Sequence, residues 1–137
     1  MQIIIKNQQR IIPVSKRAVK TTVLKTLKIL KVNLSGELTV VYVNNRAIQE
    51  LNHKFLGRRQ PTDVLCFDLS RGRHLIADII ISTEQAKENA RLFKTSASWE
   101  ARLYLIHAIL HLRGFKDKRI NDRIRMQRKA LKIMEGI

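Results

Sequence analysis

The stretch HAILHLRGFKD, residues 107–117, places two histidines four residues apart in an apolar segment. In a helix this spacing puts the side chains of His107 and His111 on the same face, one turn apart. Gly114 follows at a position where helices commonly end in a left-handed conformation. The chain can then turn back and bring the carboxylate of Asp117 to the two imidazoles. The stretch therefore predicts a site with three donors at the end of a helix.

Three such donors suit a zinc ion. The spacing follows the zinc pattern H-E-x-x-H-x-x-G-x-x-H, without its Glu and with an Asp as the last ligand. Zinc held by three protein ligands keeps a position for water, as in catalytic sites. We therefore predict that His107, His111 and Asp117 bind zinc and are the catalytic residues. The alternative is structural: the histidines border a packed face, and Asp117 caps the helix that follows.

The charge balance points to a polyanionic partner. The chain carries 27 lysines and arginines against 11 acidic residues, a formal net charge of +16. Such an excess favours RNA, DNA or an anionic membrane. Aromatic residues make up only 5% of the chain, which argues against base stacking as the main source of affinity. The basic residues expected to contact such a polyanion are Arg58, Arg59, Arg113, Lys116, Arg123 and Arg125.

Length and composition indicate one domain spanning residues 1–137, with a single core. We expect no membrane span, because no long uncharged apolar stretch occurs. The apolar run at the N-terminus is too short for a signal peptide. The single cysteine, Cys66, suits a reducing compartment and the role of a small core residue. These features predict a cytoplasmic protein.

Hydrophobic periodicity predicts about four strands and five helices, an α+β layered fold. The predicted strands cover residues 2–6, 37–43, 64–69 and 77–81. The predicted helices cover residues 15–31, a segment capped by Asn44 or Asn45, residues 82–93, a segment from Ser96 or Ser98 to the histidines, and about 120–134.

Two of these helices carry further local signals. Ser82-Thr83-Glu84-Gln85 has the pattern of a capping box, which predicts reciprocal hydrogen bonds at the start of a helix. In the helix that bears the histidines, the predicted buried stripe consists of Trp99, Leu103, Ile106 and Leu110.

Three motifs in order resemble those of the YbeY family of bacterial zinc-dependent endoribonucleases. The family signature H-G-x-L-H-L-x-G-Y-D-H is similar to HAILHLRGFKD at 107–117, and P-T-D-V-L-S-F is similar to PTDVLCF at 61–67. A third motif, G-D-I-x-I-S, is similar to ADIIIS at 77–82, and Glu100 matches a family Glu seven residues before the first His. The resemblance extends from about residue 37 to residue 134.

The resemblance implies a single-domain YbeY-like fold, a four-stranded mixed sheet packed with about five helices. It also implies an endoribonuclease in ribosomal RNA maturation, with zinc as cofactor and no small-molecule substrate. Its partners would be single-stranded RNA, above all ribosomal RNA, and the ribosome. In metal-assisted phosphodiester hydrolysis, the ion polarises a phosphoryl oxygen or lowers the pKa of a water. Arg58, Arg59 and Arg113 would stabilise the charge that gathers on phosphorus.

The chain departs from the family at the third metal ligand. Asp117 stands where the family has a His, and a carboxylate is also an acceptable zinc ligand. A register with one inserted residue instead puts Lys118 at the ligand position, which would leave no third ligand.

Two other departures affect the predicted activity. The family arginine before the second motif aligns with Leu56, so Arg58 or Arg59 would have to reach the same phosphate. Ala108 replaces a Gly and stands where a metalloprotease places its general base Glu, which disfavours a protease. The remaining alternative is a non-catalytic RNA- or ribosome-binding module that has lost the metal.

Two acidic residues near the motifs carry milder expectations. Asp63 is expected to bond the backbone where its strand begins, and Glu100 is expected at the rim of the site, beyond reach of the metal.

Overall fold

Four strands and five helices are present in the computed structural model, which describes residues 1–32, 35–58, 60 and 62–137. The predicted α+β fold is confirmed, and the predicted element bounds shift by one or two residues at most ends. No helix in these ranges combines the length and apolar character needed to cross a bilayer. The elements are β1 (Gln2–Asn7), α1 (Lys16–Ile29), β2 (Gly36–Val43), α2 (Asn45–Leu56), β3 (Val64–Asp68), β4 (Leu75–Ser82), α3 (Thr83–Phe93), α4 (Ala97–Leu112) and α5 (Ile120–Glu135).

The sheet is mixed and has the strand order β1-β2-β4-β3. β1, β2 and β4 are parallel, so the chain must cross over between them, and helices provide these crossovers. β3 runs antiparallel to β4. In register, Ile5 faces Val40, and Val40 faces Ile79, which aligns three buried side chains across the parallel strands. β3 is an edge strand, and its outer edge borders the site described below.

α4 is the central helix of the core. The predicted stripe of Trp99, Leu103, Ile106 and Leu110 packs with α5, but it is only one side of the buried surface. The opposite side of the helix packs in the cluster that covers the sheet, through Ala101, Tyr104, Leu105, Ala108 and Ile109. The stripe prediction was therefore too narrow, because it assumed a helix with one solvated face.

Side-chain oxygens cap the first four helices. Of the predicted alternatives, Asn44 and Ser96 are the residues used. The capping box at Ser82 forms only in part: the Ser82 hydroxyl accepts from the Gln85 N–H at 3.2 Å. Its reciprocal half is absent, because the Ser82 N–H donates to the carbonyl of Asp63 at 2.9 Å and thereby joins β4 to the start of β3.

Gly36 allows β2 to begin beside β4. Its φ is +122°, and an added Cβ would lie 2.0 Å from the carbonyl oxygen of Leu75. We expect Gly36→Ala to lower the free energy of unfolding by at least about 2 kcal/mol, because it combines a strained φ with a backbone clash. Urea unfolding followed by circular dichroism measures the change. Gly57→Ala is the control: its φ is +69° but an added Cβ meets nothing within 4 Å, so the loss should be only about 1 kcal/mol. Equal losses would contradict the clash.

Candidate active site

A cleft of about 800 Å³ opens at the edge of the sheet, beside β3. The C-terminal end of α2, the second half of α4 and the first turns of α5 supply its other walls. Three residues proposed as metal ligands from the sequence, His107, His111 and Asp117, all line this cleft. The fold therefore gathers in one place side chains that come from both sides of the α4–α5 turn.

The two histidines face the cleft from the last turns of α4. His107 is half-buried, and its Nε2 lies 2.8 Å from Oε1 of Gln127 on α5. Burial lowers the pKa of His107, and the hydrogen bond with Gln127 and the charge of Asp63 oppose this shift. The imidazole is therefore neutral near pH 7, which is the form that binds a metal.

Asp117 reaches the histidines because the chain turns sharply after α4. Gly114 has a φ of +91°, as predicted for the end of this helix. Oδ2 of Asp117 lies 3.4 Å from Nε2 of His111. The alternative in which Asp117 caps the last helix is wrong: α5 has Arg119 at its N-cap, with no hydrogen bond from a capping side chain. Among the described residues that line the cleft, Asp117 is present and Lys118 is not.

The donor set is chemically suited to zinc, with two imidazole nitrogens and one carboxylate oxygen. Within the described part of the chain, however, no three His, Cys, Asp or Glu side chains come together closely enough to hold a metal ion. Nε2 of His107 is hydrogen-bonded to Gln127 in this arrangement. Metal binding through this nitrogen therefore requires His107 to exchange Gln127 for the ion.

The basic residues proposed to contact RNA divide into two groups. Arg58 and Arg123 line the cleft, on either side of the histidines in sequence. A separate pocket of about 350 Å³ beside the α4–α5 turn is lined by Arg113, Lys116 and Arg125. Arg59 lies outside the described residues, as does Pro61, the first residue of the second motif.

Leu56 also lines the cleft, and Arg58, two residues farther along the chain, does the same. Asp63 bonds the backbone, as expected: its Oδ1 accepts from the Val64 N–H at 2.8 Å. Glu100 is buried in the first turn of α4, where it accepts a hydrogen bond from Thr95 at 2.7 Å. The expectation that Glu100 lies at the rim of the site is therefore wrong.

Two amide side chains of the cleft were missed from the sequence. Gln127 contacts His107, and its spacing from Arg123 puts both on one face of α5, which is the signal that would have found it. Asn52 is only 3% exposed, and its Nδ2 donates to the carbonyl of Gln60 at 2.8 Å. This bond ties the segment that contains Arg58 to α2.

Comparison with known proteins identifies the family. A family model described as Endoribonuclease YbeY matches residues 4–137. An Endoribonuclease YbeY from Syntrophus aciditrophicus is 32% identical over 127 residues, covering 88% of this chain and 79% of the relative. Another, from Caldicellulosiruptor saccharolyticus, is 31% identical, and the match covers 100% of this chain and 98% of the relative.

A solved structure supports the same assignment. TM1509 from Thermotoga maritima, determined in solution, superposes with a TM-score of 0.65 at 28% identity, covering 98% of this chain and 90% of that one. The mixed sheet with its five helices is thus a YbeY-like fold. The chain belongs to the Endoribonuclease YbeY family.

Cys66 offers a test of the cleft's inner wall. Its Sγ lies 3.9 Å from the carbonyl oxygen of Ala108, between β3 and α4. Burial, with a smaller contribution from the charges of Asp68 and Asp78, raises the pKa of the thiol to about 12. Because only the thiolate attacks, we expect iodoacetamide at pH 8 to leave Cys66 unmodified in the folded protein and to alkylate it in urea. Mass spectrometry counts the adducts; rapid modification of the folded protein would contradict this placement.

Proposed function

We propose that this protein is a metal-dependent endoribonuclease that cleaves single-stranded RNA, with ribosomal RNA and the ribosome as its natural partners in the cytoplasm. Residues 1–137 act as one domain in this proposal. The observation that carries it is the cleft, which combines His107, His111 and Asp117 with the guanidinium-bearing residues Arg58 and Arg123. Membership of a family whose relatives are named endoribonucleases supports the reaction.

The charges that line the cleft support a cation at its centre. Asp63, Asp68 and Asp117 all line it, although the chain as a whole carries an excess of 16 positive charges. Carboxylates repel a phosphodiester brought close to them, and a divalent cation between the two reverses that repulsion. We propose zinc, held by His107, His111 and Asp117. When bound, it polarises a phosphoryl oxygen and lowers the pKa of a water.

The chain's own residues would bind and orient the RNA backbone. Arg58 and Arg123 reach the cleft from α2's end and from α5, and they offer forked donors for phosphate oxygens. The neighbouring pocket with Arg113, Lys116 and Arg125 would hold phosphates farther along the strand. Such contacts position the RNA and carry little sequence information. Arg59 stays a predicted contact of the same kind.

One observation favours a second candidate, a non-catalytic RNA- or ribosome-binding module. Gln127 is hydrogen-bonded to Nε2 of His107, which is the arrangement expected of a protein in which this nitrogen does not bind a metal. A metalloprotease is disfavoured, because fully buried Ala108 provides no carboxylate where that chemistry needs a general base. Metal binding separates the two remaining candidates.

We expect one zinc ion per chain, with affinity that depends on the three proposed ligands. Zinc competition titration should show His111→Ala losing the site, Asp117→Ala weakening it about tenfold or more, and Asp117→His keeping it. Cleavage of a labelled single-stranded RNA should follow the same order. Lys118→Ala is the matched control, and it should bind zinc like the unmodified chain.

Two outcomes would change these assignments. Zinc affinity that is unchanged in Asp117→Ala would favour the register with an inserted residue, in which Lys118 stands at the ligand position and provides no third ligand. A chain that stays metal-free during zinc titration but still binds RNA would favour the second candidate, the non-catalytic RNA- or ribosome-binding module.

Affinity for single-stranded RNA should fall steeply with salt, because phosphate contacts release condensed counterions. Replacing both Arg58 and Arg123 by Ala should reduce the slope of log affinity against log salt by about 1.4, since each lost contact with a single strand contributes about 0.7. Fluorescence anisotropy at several salt concentrations measures the slope. The control replaces Lys20 and Lys28, exposed on α1, which packs with β1 at the opposite edge of the sheet. Equal changes in both double variants would mean that the cleft has no special part in RNA binding.

A further inference from the structure

An exposed aromatic ring stands beside the cleft. Phe55, the penultimate residue of α2, is 56% exposed to solvent. Its ring contacts the ring of Phe67 on β3 edge to face, with centroids 5.5 Å apart and an interplanar angle of 66°. Phe67 is itself half-buried and packs in the small hydrophobic cluster that contains Val43 and Ile48. One ring is thus anchored in the protein, and it holds the second ring at the surface.

The position of this pair relates it to the cleft. Phe67 lies on the face of the sheet that α2 covers, in the same cluster as Leu65, because side chains alternate along β3. Leu65 lines the cleft, and so do Leu56 and Arg58, which follow Phe55 in the chain. The two rings therefore lie next to residues that line the cleft, on the side of α2. They are two of the four phenylalanines in a chain with few aromatic residues.

The electrostatic surroundings of the ring suit a nucleotide. Nζ of Lys54 lies 5.3 Å from the centroid of the Phe55 ring, a cation–π contact on the exposed side chain. Arg58 lies three residues farther on, and Glu50 is the one acidic residue in the sequence of α2. In an RNA strand, bases alternate with phosphates. The ring of Phe55 is suited to contact a base, and the flanking cations Lys54 and Arg58 are suited to contact the phosphates on either side of it.

We propose that Phe55, supported by Phe67, is a stacking platform for an unpaired base of the RNA strand in the cleft. This inference rests on the proposed function and adds a base-binding subsite to it. A flat base stacks on an aromatic side chain whatever its sequence identity, and Lys54 then moves from the ring to the adjacent phosphate. Only a single strand leaves a base free to stack, so the platform gives a physical reason for a preference for single-stranded RNA.

The test measures RNA binding in the presence of a chelator, so that cleavage cannot intervene. Fluorescence anisotropy with a short single-stranded RNA should show about a tenfold loss of affinity for Phe55→Ala, as expected when one stacked base is lost. Phe55→Leu keeps an apolar side chain without a ring and should lose as much, whereas Phe55→Trp should bind at least as tightly as the unmodified chain. The slope of log affinity against log salt should stay unchanged in all three, because no phosphate contact is removed.

Phe93 provides the matched control. It is the last residue of α3 and is 68% exposed, so Phe93→Ala removes an equally accessible ring that does not adjoin the cleft. This variant should bind single-stranded RNA like the unmodified chain. Affinity for a blunt duplex RNA should be the same for Phe55→Ala and the unmodified chain, because its bases are already paired and stacked.

The outcomes separate the subsite from the proposed function. If the unmodified chain binds and cleaves RNA but Phe55→Ala and Phe55→Leu bind like it, the stacking platform is wrong and the proposed function stands. An equal loss of affinity for single-stranded and duplex RNA would also overturn the platform. If the unmodified chain binds no RNA at all, the proposed function itself fails and the subsite fails with it.

Discussion

Burial of α4 is the constraint on which the rest of the structure depends. The helix packs against the sheet on one side and against α5 on the other, and most of its apolar side chains are fully enclosed. Each fully buried Leu or Ile contributes about 1.5–3 kcal/mol, so the position of α4 is determined by many contacts at once. His107 and His111 are carried by this helix. Their location beside β3 is therefore set by core packing rather than by contacts of the imidazoles themselves.

The cleft forms where this core ends. β3 is the last strand of the sheet, and α2, α4 and α5 meet along its edge. Gly114 ends α4 with a turn that returns the chain toward the histidines, so Asp117 approaches His111 before α5 begins. α5 then brings Arg123 and Gln127 to the same space, one as a cation and one as the partner of His107. A basic rim around a centre with carboxylates is a surface suited to a phosphodiester together with a cation.

Much of this arrangement could be predicted from local sequence patterns. The strands, the helices and most caps follow from hydrophobic periodicity and from Ser or Asn at helix starts, since these depend on residues close in the chain. The cap at Ser82 could be predicted only in part from the local sequence. The Ser82 N–H donates to the carbonyl of Asp63, which is 19 residues away in the chain. Glu100 was misplaced for a related reason, because a hydrogen bond with Thr95 and burial against the core decide its position.

The sequence by itself determined the elements of the fold, the excess of positive charge and the candidate donors at residues 107, 111 and 117, because helical spacing and composition are properties of the chain. The tertiary structure alone decided which distant side chains share the cleft. It places Gln127 on His107, separates Arg123 from Arg125, and anchors Phe55 on Phe67. These contacts join segments 12 to 20 residues apart or turn neighbours to different faces of one helix, and only the packing of complete elements determines them.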